Sequence, residues 1–264
     1  MKQQQAINNI KISRFAFRDI IIHPRQRFYT KPLTTSTYNI HIAIMTVSKP
    51  FTEVLKEEAG QQWIRVVNHK FTNELASGTI DRNVLKRYLI QDHRFLDSFV
   101  VLLASMIANC RCLEDRIPGC QFIALITGKE NTYFERSFQA MGCTEEERNA
   151  IPNAECTEGF INLMHDVAKS GNLGEILAVL VVCEWSYQTW GESVLESTVR
   201  EDFTCYEWVD LHSGEFFGKV VQYLRTLLDK EETFLDEDQR EKVKKRFLSA
   251  VALEEAFFEN AYSA

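Results

Sequence analysis

Three acidic side chains occupy positions that helical periodicity reserves for the core. Leu85, Tyr88, Leu89, Phe95, Leu96 and Phe99 recur at three- and four-residue steps, which marks one face of a helix, and Asp92 stands in the middle of that stripe. Phe247, Val251, Phe257 and Phe258 form a second stripe, in which Glu254 takes the place of an apolar residue. In a third segment Leu173, Ile176, Leu177, Leu180 and Val181 lead into Glu184 and Tyr187, while Cys183 and Tyr187 share the adjoining line at i and i+4. Burying a charge without a partner is costly, so acids in such places are either paired elsewhere in the core or part of a site.

The chemistry open to these residues can be narrowed. Di-metal carboxylate bundles pair their acids with Glu-x-x-His on facing helices, but the residues three before His69, His93, His165 and His212 are Val66, Ile90, Asn162 and Val209. A haem pocket would need an axial histidine such as His69, and that residue reads more simply as a satisfied or exposed side chain. What remains is organic chemistry with neither metal nor cofactor. Cys183 is a nucleophile if its pKa is lowered, and Glu254 is an acid or base if burial raises its own. Asp92 suits an amidine-like ligand edge, which it would grip by paired hydrogen bonds. Phe95, Phe160, Tyr187 and Phe257 could clamp a flat ring, against a plain alternative of core packing. Cysteine has its own plain alternative as a small inert hydrophobe.

The elements that must position these groups are helices. Long periodic segments, sparse Gly and Pro, and the absence of regularly spaced strands make the fold class all-α. The pattern predicts helices over 51–77, from about 81 to 109, 119–141, 153–169, 172–198, 205–230 and 236–262, with a short acidic turn opened by Thr144. Short connections between about seven such helices imply antiparallel packing in a single bundle.

Charge divides the chain in two. Residues 1–44 carry seven Lys or Arg against Asp19 alone, so the rest holds 23 of the 30 basic and 36 of the 37 acidic residues. An acidic body argues against nucleic acid as a partner. The basic extension 1–44 reads either as an organelle transit peptide or as a gene-model artefact preceding a true start at Met45, with 45–264 as the helical domain. No apolar run approaches the roughly 18 residues of a spanning helix, so a soluble protein without a membrane partner is expected. The seven cysteines form no regular framework, which fits a reducing compartment.

Three segments carry a family resemblance. Leu89-Ile90-Gln91-Asp92-His93-Arg94-Phe95-Leu96, the run from Gly174 to Cys183-Glu184-Trp185-Ser186-Tyr187, and Leu253-Glu254-Glu255-Ala256-Phe257-Phe258 onward to Tyr262 resemble the TenA family, thiaminase II and its relatives. The similarity runs from about residue 51 to the end. It implies a haem-oxygenase-like helical bundle acting in thiamine salvage, as a hydrolase that replaces the amine of an aminomethyl-pyrimidine, or its formylamino form, to give the hydroxymethyl-pyrimidine. By position, Asp92 resembles the acid that grips the ring nitrogen and amino group. Cys183 resembles the nucleophile, Glu254 the proton donor to the leaving amine, and Tyr187 a tyrosine lining the pocket. Phe95, Phe160 and His212 stand where Cys-type members commonly have tyrosines. Phe95, Glu184 and the ending after Leu253 are similar instead to a Glu-type branch that lacks the cysteine. The chain retains both Cys183 and Glu184, and so looks intermediate.

Cys183 and Glu184 lie about 100° apart around their helix, so a pocket centred on one is expected to leave the other structural. The alternatives to an aminopyrimidine hydrolase are a thiaminase II cleaving thiamine and a non-catalytic pyrimidine-binding or regulatory protein on the same fold. The resemblance further implies a homodimer or homotetramer. The expected location is the cytoplasm, or a mitochondrion or plastid if 1–44 is a transit peptide.

Overall fold

A computed structural model describes residues 49–263; the extension 1–44 lies outside the described residues. All regular structure among those residues is helical. The seven expected helices are present, several of them divided. Helix α1 (Phe51–Val67) is followed by α2 (Lys70–Ala76) rather than continuing to residue 77. The break is made by His69, whose backbone is extended and whose ring Nδ1 accepts a hydrogen bond from the Phe71 N–H at 3.2 Å as the N-cap of α2. Its Nε2 lies 3.2 Å from Glu259, so both ring nitrogens have partners within the protein.

Helix α3 (Arg82–Asn109) is capped by Asp81, whose carboxylate accepts from the N–H groups of Asn83 and Val84. The expected segment 119–141 begins earlier, because α4 (Leu113–Leu125) runs through Pro118. It then widens into one π-helical turn at Ile126–Glu130 before α5 (Asn131–Ala140). Helix α6 (Glu145–Ala150) opens with the capping box expected at Thr144, and α7 (Glu155–Ser170) ends at left-handed Gly171. Helix α8 (Leu173–Val194) stops short of residue 198 in a 3₁₀ turn at Leu195–Ser197. The predicted segment 205–230 divides at Ser213 into α9 (Phe203–Leu211) and α10 (Gly214–Glu232), and α11 (Glu237–Tyr262) closes the bundle.

Helix α8 is the axis of the packing. Every residue from Leu173 to Cys183 is buried, as required of a helix that is apolar all round. Helices α1, α3, α7, α10 and α11 surround it. The three acid-bearing stripes of α3, α8 and α11 therefore meet in the interior. No helix among the described residues is long and apolar enough to cross a membrane.

One close approach sets how near α8 lies to the α9–α10 junction. At Gly191 of α8 an added Cβ would stand 2.5 Å from the backbone carbonyl oxygen of His212, at the α9–α10 junction. Backbone cannot yield as a flexible side chain can. Gly191→Ala is expected to push this junction from α8 and destabilise the protein by about 1–3 kcal/mol, read as a lower urea midpoint, with His212 displaced.

Candidate active site

Asp92, Glu254, Cys183, Glu184, Tyr187, Phe95, Phe160 and His212, contributed by α3, α7, α8 and α11 and the residue after α9, line one internal cavity. About 450 Å³ of space lies between the walls of this slot. Phe95 and Phe160 meet edge to face at 5.0 Å, with Phe257 6.2 Å from each. These rings wall one side of the slot.

Three residues of the lining, Ile126, Glu130 and Trp208, were not anticipated. Glu130 belongs to the π-helical turn, and it reaches the cavity together with Ile126, four residues before it. Its spacing was a readable signal, because Glu130 interrupts a ladder of buried apolar residues at four-residue steps, Phe122, Ile126, Phe134 and Phe138, as Asp92 and Glu254 interrupt theirs. Trp208, one turn before His212 on the same face of α9, was legible from its spacing.

Four carboxyl groups thus face one space, and no Lys or Arg lines it. Burial is the leading cause of every shift among them. It pushes Asp92 up to about 7, opposed by the Tyr88 hydroxyl, and Glu254 up to about 8, opposed by the Cys183 thiol and reinforced by Asp92. Glu130 rises to about 8, with Asp92 adding to the effect. Glu184 is pushed well above the usual range, first by burial and then by the negative charges of Glu130, Glu254 and Asp92. Asp92 is 6% and Glu254 2% exposed, yet Asp92 Oδ2 and Glu254 Oε1 have no hydrogen-bond partner. Buried polar atoms are normally satisfied, so these two are available to a bound molecule.

The other polar groups are held in defined states. Burial, with Glu254 and Glu184 beside it, pushes the Cys183 thiol well above its ordinary pKa, so it rests as a thiol. His212 is lowered to about 4 by burial and is neutral near pH 7. Its Nδ1 lies 2.8 Å from the Trp208 carbonyl oxygen, which can only accept, so Nδ1 carries the hydrogen and Nε2 is left as an acceptor. The Tyr187 and Tyr88 hydroxyls share a buried hydrogen bond of 2.6 Å, tying α8 to α3 beside the acids.

The expected choice between Cys183 and Glu184 does not arise, because both line the cavity. The slot is broad enough around α8 to take in the two helical lines. Cys183 lies beside Glu254 of α11, and Glu184 feels Glu130 of the π turn most strongly among its neighbours. Among the described residues no group of three or more His, Cys, Asp or Glu is arranged to hold a metal ion.

Residues 57–264 match the family described as TENA/THI-4/PQQC. An aminopyrimidine aminohydrolase of Halalkalibacterium halodurans is 25% identical over 81% of this chain and 96% of its own length. One from Bacillus subtilis is 24% identical over 80% and 89%. A TenA homologue from Pyrococcus furiosus superposes with a TM-score of 0.72 at 23% identity, covering 80% of this chain and all of the other.

The raised acids set the pH dependence of stability. Folded Glu254 titrates near 8 against 4.5 for a free glutamate, so between those values the folded state holds a proton that the unfolded state lacks. Its contribution is complete below about pH 4.5 and is lost as the pH rises toward 8. Glu254→Gln, neutral throughout, is expected to match wild type in urea unfolding at pH 4.5 and to exceed it at pH 8.

Proposed function

The chain belongs to the TENA/THI-4/PQQC family, and on that premise we propose that the cavity hydrolyses the C–N bond of an aminomethyl-pyrimidine, or of its formylamino form, to give the hydroxymethyl-pyrimidine of thiamine salvage. The observation that carries this reading is the pair of buried, unpartnered carboxyl oxygens on Asp92 and Glu254, two residues that line one cavity together with aromatic side chains.

Asp92 matches an aminopyrimidine edge. A carboxyl titrating near 7 gives its proton to a ring nitrogen, or takes it back, at little cost, while its other oxygen accepts from the exocyclic amino group. Phe95, Phe160 and Phe257 fit the ring faces.

Glu254 and Cys183 then act together. The thiol adds to the ring, forming a carbon–sulfur bond, and its proton passes to Glu254 as Glu254 gives its own to the leaving nitrogen. The C–N bond breaks, and ammonia departs from the amine or formamide from the formylamine. Water adds at the freed methylene carbon, and its proton reaches the sulfur as the carbon–sulfur bond breaks, relayed by Glu184, which passes on its own proton as it takes that of water, so that every group regains its starting state. The overall change is one water consumed and one ammonia, or one formamide, released. A thiol held protonated at rest suits this order, because its base is created at the moment that the leaving group is protonated.

Product formation from the aminomethyl-pyrimidine, its formylated form and thiamine tests the proposal. Glu254→Gln is expected to lower kcat by about 10²–10⁴ with ligand affinity largely intact, and Cys183→Ser to abolish turnover. Full activity in Cys183→Ser would transfer the chemistry to water activated by Glu184. Binding without turnover by wild type would leave a pyrimidine-binding protein.

A further inference from the structure

The proposed chemistry uses Asp92, Cys183, Glu184 and Glu254, and leaves Glu130 without a task. Its presence in the cavity is costly. It brings a fourth carboxyl to a space that already holds three and contains no Lys or Arg. It arrives there by a π-helical turn, a backbone form that is rare and commonly found at functional sites. Two of the carboxyls sharing the space, Asp92 and Glu254, are more than nine-tenths buried and each has an oxygen with no partner, so the cluster is open to a ligand rather than closed on itself.

A cavity of this composition selects by charge. An entering cation lets these protonated acids ionise against it, an anion only makes their ionisation harder, and a neutral molecule gains nothing from the extra acid. Resting on the proposed reading of the site, we infer that Glu130, together with Glu184, forms the subsite for the substrate's amino nitrogen in its ammonium form, making Glu130 a specificity determinant for cationic aminomethyl-pyrimidines over uncharged analogues.

This is consistent with the proton accounting of the reaction. A neutral amine beside protonated Glu254 and an ammonium beside ionised Glu254 differ only in where one proton sits. Glu130 and Glu184 favour the second arrangement as the amine binds, which leaves Glu254 ready to take the thiol proton. A formylamide nitrogen is not basic, so it gains nothing from Glu130 and depends on Glu254 for its proton. The uncharged hydroxymethyl product loses the ammonium contact, which favours its release.

The experiment compares wild type, Glu130→Gln and Glu130→Asp by steady-state kinetics on the aminomethyl- and formylaminomethyl-pyrimidines, with hydroxymethyl-pyrimidine as product inhibitor. Glu130→Gln is expected to raise KM for the amine about tenfold, the scale of one charge-assisted hydrogen bond, with kcat changed by less than about threefold. The KM of the formylamide and the inhibition constant of the alcohol stay unchanged, and Glu130→Asp restores much of the preference. Equal rises for amine and formylamide, or no rise for either, overturn the inference. If wild type turns over neither compound, the reading of the reaction fails, and calorimetry of amine against alcohol still decides whether Glu130 selects the cation. If Glu130→Gln does not fold, the same calorimetric comparison is made with Glu184→Gln, and an undiminished preference for the amine overturns the inference.

Discussion

Gathering four carboxyl groups around one largely apolar space without a cation, Asp92 and Glu254 buried and Glu130 and Glu184 half-buried, is the constraint around which this structure is organised. An isolated charge there would be prohibitive, and the groups respond by holding their protons: Asp92 titrates near 7, Glu130 and Glu254 near 8. The acids therefore sit close to the point where a proton can move either way at neutral pH, which is what general acid–base chemistry requires. Stability is given up to hold them. The apolar core of α8 and the helices packed around it offsets that loss.

The surrounding polar groups make sense in the same terms. His212 stays neutral because it too is buried, and the Trp208 carbonyl fixes its tautomer, so it adds no compensating positive charge. Cys183 stays a thiol because the nearest charges are negative. Tyr88 and Tyr187 share one hydrogen bond beside Asp92, whose Oδ2 remains unpartnered. A bound aminopyrimidine would supply what the protein withholds: donors and acceptors for the orphaned oxygens and, as an ammonium, the missing positive charge.

Much of this was legible in the residues. Asp92 and Glu254 stood out because each interrupts an apolar stripe, and burial at 6% and 2% exposure is the physical counterpart of that interruption. The Cys183, Glu184 and Tyr187 constellation was visible for the same reason, on a helix whose uniform apolarity identified it as central. Helix ends at caps were also readable, as at Thr144 and Asp236. Breaks that rest on a single backbone choice were not. His69 gives no compositional sign that it will cap a new helix, and Pro118 suggests a start that α4 does not observe.

By itself, then, the sequence determined the helical class, the central helix and the identity of the acids that face inward, because periodicity and local capping are properties of neighbouring residues. Tertiary structure alone decided that acids from α3, α8 and α11 converge on one slot, that Cys183 and Glu184 share it, and that Glu130 joins them. Those facts depend on how helices far apart in the chain pack, and although periodicity marks each acid as facing inward, no local pattern says which inward faces meet.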